Sequence, residues 1–113
     1  MDPVTTAIVA AVLADADEAE RLSDENKEEI VDKYDDLVVL LEEAYALDSR
    51  LIEVLYQLED DDTAAHRQML HQEVKIVRAD REPAIVQAAQ QVLDTIAAQP
   101  GGDEIILRAR TWQ

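Results

Sequence analysis

Residues 24–47 read DENKEEIVDKYDDLVVLLEEAYAL, and the reading of this stretch decides the fold. Ile30, Tyr34, Leu37, Leu41 and Ala44 recur at steps of four and three, so they share one face of a helix. Val31, Val38 and Tyr45 flank that stripe at steps of seven, and Asp and Glu fill much of the remainder. No Gly or Pro interrupts the pattern, which as a helix runs for roughly 36 Å, about the length of a small domain. The remaining segments are shorter and pack against it. The expected fold class is therefore all-α, a five-helix bundle around a long central helix, with a short strand-like C-terminal tail.

The totals support a single domain. A chain of 113 residues is long enough to bury a core without staples. Three Tyr, one Trp and no Phe leave that core to Leu, Ile, Val and Ala, which suits helix-on-helix packing. The absence of cysteine excludes disulfides and thiolate metal sites and fits a reducing compartment. The Met-Asp-Pro start lacks the basic region of a secretory signal, so the expected location is cytoplasmic.

Charge is unevenly spread. Residues 1–62 hold 20 acids and 4 bases, whereas residues 63–113 hold 6 of each, so the first half carries the whole net charge of −16. Such a field repels nucleic acid and anionic lipid and attracts basic protein surfaces. Solubility or a salt-adapted host is the plainer account of it, ahead of a specific basic partner or DNA mimicry.

Ahead of the central helix, Asp2 and Pro3 make a helix start, as cap and first residue, and the helix is expected to run to about Leu22. Its first half, VTTAIVAAVLA, is apolar or small nearly all round, and its second half, DADEAER, is acidic. A helix apolar on every side is either deeply buried or inserted into a membrane or partner. Its near-apolar run, Val4 to Ala14, is about half of what spans a bilayer, and the acids after Ala14 oppose deep insertion.

Ser23 caps the central helix in this reading, and Ser49 the next, over 50–59. Leu37 to Leu41 are five consecutive apolar residues, which cannot share one face. They are covered on several sides or meet another subunit. The acidic run Glu59–Asp62 falls in a loop, because acids oppose the dipole at a helix C-terminus. It lacks the Gly and the spaced ligands of a calcium loop. Thr63 or Asp62 caps a fourth helix over 64–79 with both histidines, His66 and His71. No Glu-x-x-His pair accompanies them, so they read as surface histidines rather than metal ligands. A fifth helix covers 84–98 and stops at Pro100-Gly101-Gly102. The domain is accordingly divided into a helical bundle, 1–102, and a β-prone tail, 103–113, in which Ile106, Arg108, Arg110 and Trp112 alternate with Ile105, Leu107, Ala109 and Thr111.

Four stretches together carry a resemblance: MDPVTTAIVAAVLA, IVDKYDDLVVLL, DSRLIEVLYQLEDDDTAAHRQMLHQEV and ADREPAIVQAAQQVLDTIAAQPGG. Over residues 1–102 the chain resembles small bacterial N-terminal helical domains of the HeLo-like or Bell class. The resemblance implies a helical bundle, a Pro-Gly-Gly hinge and a β-prone tail or effector module. It further implies a role in regulated cell death, by oligomerisation and use of the first helix against membranes. The chain departs from the group where Asp15, Asp17, Glu18 and Glu20 replace the Gly and Ala expected in the first helix.

The chain shows no nucleophile–base pairing, phosphate-cradling Gly loop or metal-ligand set, so no catalytic residue, cofactor or metal is assigned and no enzyme is expected. The expected function is non-enzymatic protein–protein interaction, homotypic in the first instance, with conditional membrane contact by the first helix. The expected partner is thus a homo-oligomer or another protein, and not nucleic acid. The surfaces assigned to it are Val4, Ile8 and Val12 on the first helix, Val38, Val39, Leu40 and Leu41 on the central helix, and Ile105, Ile106, Leu107 and Trp112 in the tail. The alternative is an acidic decoy or DNA mimic that occupies a basic protein surface, or a helical bundle with no specific ligand.

Overall fold

The structure is a computed structural model that describes residues 2–16, 22–46 and 49–111. Six α-helices follow in order: α1 Pro3–Asp15, α2 Asp24–Tyr45, α3 Arg50–Asp60, α4 Ala64–Val77, α5 Pro83–Ala97 and α6 Gly102–Arg110. A 3₁₀ turn, Ala79–Arg81, joins α4 to α5. Among the described residues there is no strand.

Local chemistry sets most of the boundaries. Each of α1 to α4 begins at a side-chain cap: Asp2 accepts from the Thr5 N–H, Ser23 from Asn26, Ser49 from Ile52 and Thr63 from His66. Pro3 and Pro83 occupy first-turn positions, where the missing N–H costs nothing. The second half of the first-helix reading, Asp17 to Arg21, lies outside the described residues.

Two expectations are corrected. The longest helix, α2, is not the centre: only Ile30, Leu37 and Leu41 are buried along its 22 residues. Its apolar stripe is narrow, so it lies on the bundle with its acids in solvent. The centre is α1, in which Val4 through Ala11 and Ala14 are all buried. It packs most extensively on α5 and α6, and also meets α2, α4 and the 3₁₀ turn.

The tail is the second correction. Residues 102–110 form a sixth helix, not a strand, and the bundle therefore has six helices, not five. Ile105, Ile106 and Ala109 fall on one helical face and are buried, largely against α1 and α5. Asp103 and Glu104 stand at the positive end of α6 and Arg108 and Arg110 at its negative end, an arrangement that favours helix. The radius of gyration, 12.9 Å, matches the roughly 13 Å of a folded domain this long.

Gly101 and Gly102 make the turn into α6. Gly101 takes φ = 77°, the left-handed region that glycine adopts freely. A Cβ on Gly102 would stand 1.7 Å from the Ile96 carbonyl oxygen, so only hydrogen fits there. Gly102→Ala is expected to lift the start of α6 off α5 and to destabilise the fold by about 1–3 kcal/mol, despite alanine's better helix propensity. A thermal midpoint at or above that of the parent chain would show that α6 does not depend on this contact.

Candidate functional site

The interaction surfaces expected from sequence separate into a covered set and an open set. On α1, Val4 and Ile8 are completely buried and Val12 is half-buried. On α2, Leu41 is buried, Val38 and Leu40 are half-buried, and Val39 is 50% exposed. On α6, Ile105 and Ile106 are buried whereas Leu107 is 60% exposed. Trp112 lies outside the described residues. In the packed molecule, therefore, Val39 and Leu107 are the described members of this set that lie open to solvent, and Val4 and Ile8 are enclosed.

Polar contacts hold the start of α1. The Asp2 carboxylate, whose side chain is 1% exposed, accepts from the Thr5 N–H at 2.7 Å through Oδ1 and contacts His71 Nδ1 of α4 at 2.7 Å through Oδ2. The Thr6 hydroxyl donates to the Asp2 carbonyl at 2.8 Å. One carboxylate thus serves as helix cap and as tie between α1 and α4. Beside it, the buried Thr5 hydroxyl has no hydrogen-bond partner, a cost carried inside α1. Sequence reasoning found Asp2 as a cap but took His71 for a surface histidine. The pair spans 69 positions, and no local pattern announces it.

A second set of side chains fastens α2 to α3. Tyr34 donates to Glu59 Oε1 at 2.5 Å, and Tyr56 to Glu42 Oε1 at 3.2 Å. Burial pushes the Tyr34 phenol well above its ordinary range, and the hydrogen bond and charge of Glu59, with Asp35 nearby, push the same way. Tyr45 is raised by burial and by Glu82 and Asp80, and Tyr56 by partial desolvation and Glu42. Lys75 and Asp80 hold the 3₁₀ turn to α4 at 2.7 Å, which raises the ammonium's pKa and lowers the carboxyl's.

The electrostatic face is equally clear. Asp24, Glu25, Glu28, Glu29, Asp32, Asp35, Asp36 and Glu43 of α2 are all exposed. Ala11, Val12 and Asp15 of α1, Ile30, Val31, Tyr34 and Asp35 of α2 and Glu59 of α3 enclose a cleft of about 340 Å³. Among the described residues no group of three or more His, Asp or Glu side chains could hold a metal ion. Nor is any described helix long and apolar enough to cross a membrane.

With this geometry in view, the comparison with known families is informative. The model of the Het-E N-terminal domain matches residues 1–112. The chain belongs to that family. The Het-E N-terminal domain family is related to the HeLo-like cell-death domains, the class whose resemblance was read from the four quoted stretches. No curated protein and no solved structure matches the chain. In this Het-E N-terminal domain, then, the first helix is buried from Val4 to Ala11 and tied at its cap, Asp2.

Two measurements check the site. In a double-mutant cycle of Asp2→Asn, which retains a capping oxygen, with His71→Gln, a coupling of about 1–3 kcal/mol is expected. Strictly additive effects would mean that the pair does not hold α1 to α4. The second follows from the tyrosines. Raised phenol values favour the folded state fully below the unfolded range near pH ~10, and that stability is lost as pH rises through the folded values. Tyrosinate absorbance of the native chain should emerge at higher pH than that of the urea-unfolded chain, with the last of it appearing as helicity is lost. Coincident titration of the two states would contradict the burial of Tyr34.

Proposed function

We propose that this domain is a non-enzymatic effector module of a cell-death system, working by association with further copies of itself. The observation that carries this reading is α1: thirteen residues, apolar on every side, kept inside a bundle whose outer surface is heavily charged. A helix of this kind gains nothing from water and is kept from it only by its neighbours. Membership of a family related to HeLo-like cell-death domains supports the same reading. No cofactor enters it, and the polar side chains that converge, Asp2 with His71 and Tyr34 with Glu59, serve as ties between helices.

In the packed state Val39 and Leu107 are the exposed apolar side chains assigned to association, with Val38 and Leu40 as partly covered neighbours, and Ile76 of α4 is exposed as well. Membrane contact, where it occurs, is conditional on release of α1. At about 20 Å the helix is shorter than the roughly 30 Å hydrocarbon core, so contact is interfacial rather than spanning. The exposed Asp15 keeps the end of the helix at the water boundary.

Light scattering across a chromatography peak tests the association. Self-repulsion of a −16 chain opposes it, so the oligomer is expected to grow as salt screens the charge. Val39→Glu with Leu107→Glu, both at exposed positions, is expected to restore the monomer without loss of helicity. A parent chain that stays monomeric at every salt and protein concentration would end the homotypic reading.

A further inference from the structure

The cleft between α1, α2 and α3 has a floor and a rim of different chemistry. Ala11, Val12, Ile30 and Val31 line it with aliphatic surface, and Val31 is 39% exposed there. Asp15, Asp35 and Glu59 stand at its edge and are exposed, and among the described residues that line it none is basic. Two further observations set the sign of its field. Asp15 is the last residue of α1 and Glu59 lies in the last turn of α3, so the negative ends of two helix dipoles converge on the cleft. Neither helix has a basic residue in its last turn to offset that dipole. The walls are also pre-set: the Tyr34 hydroxyl is fixed to Glu59 Oε1, joining α2 to α3 along one side.

We propose that this cleft is a docking groove for a basic amphipathic helix of another protein, with an apolar side chain seated against Val12 and Val31 and Lys or Arg flanking it toward Asp15, Asp35 and Glu59. The inference goes beyond self-association and does not depend on it. A second copy of this chain matches the groove less well, because the six bases of its residues 63–113 stand among as many acids. The basic residues of α6, Arg108 and Arg110, are offset within the same short helix by Asp103 and Glu104. Anionic lipid is repelled by the same field. A strand would need a free sheet edge, and the described residues form no sheet. The volume, about 340 Å³, is at the lower limit of small-molecule sites and suits side-chain anchors presented by a helix.

The test uses the full chain and a labelled helix-forming peptide of Leu and Lys, with a Ser/Lys peptide of equal charge as control. Binding of the Leu/Lys peptide is expected, weakening as salt rises, which is the opposite of the salt response expected for self-association. Val31→Ser with Asp35→Asn, which removes one charge at the groove, should weaken it about tenfold, whereas Glu43→Gln with Asp103→Asn, which removes two charges outside it, should change it less than about twofold. Amide shifts on titration should centre on the end of α1, residues 28–36 and Glu59, which places the peptide without relying on any variant. Equal affinity for the Ser/Lys peptide, equal loss in both variants, or shifts spread over all of α2 would overturn the proposal. So would displacement of the peptide by self-association, which would give the groove to a second copy.

Discussion

The burial of one helix that has no polar side governs this structure. An amphipathic helix needs a neighbour on one face only, but α1 needs one on every face, and the rest of the chain is arranged to supply them. The helices α5 and α6 cover it most fully, while α2, α4 and the 3₁₀ turn complete the enclosure. The small residues of α1, Ala7, Ala10, Ala11 and Ala14, let those neighbours come close, and Val4, Ile8 and Val9 fill the spaces between them. At its first turn the unpaired N–H groups cannot be left buried, and Asp2 answers that need while engaging His71.

Much of this is legible in the chain. The caps at Asp2, Ser23, Ser49 and Thr63 were readable because a side-chain oxygen followed by a periodic run is local chemistry. The breaks at Pro83 and at Gly101 were readable for the same reason. What failed was judged on length or on a short period. The α2 segment is the longest pattern, but length does not measure burial, and its acids leave only three side chains enclosed. Residues 105–112 fit alternation as well as helical spacing, since eight residues sample too few turns to separate the periods. There, the buried face of Ile105, Ile106 and Ala109 against α1 settles the choice in favour of helix. The ties Asp2–His71 and Tyr34–Glu59 join distant segments, and nothing local to either partner points to the other.

The candidate surfaces show the same limit. Apolar residues at the right spacing were found, but sequence could not separate those turned inward, such as Ile8 and Leu41, from those turned outward, such as Val39 and Leu107. That distinction shapes the functional account. The acids of α2 lie outside, while most of the apolar side chains lie beneath them.

The central claim is that α1 is the core on which the other helices depend, and native-state hydrogen exchange tests it most directly. The account predicts that the amides of Ala7 to Ala11 are among the slowest in the chain and exchange only with global unfolding. Exchange of these amides through a smaller opening, while α2 and α3 remain protected, would show that the bundle stands without α1 and would contradict the account.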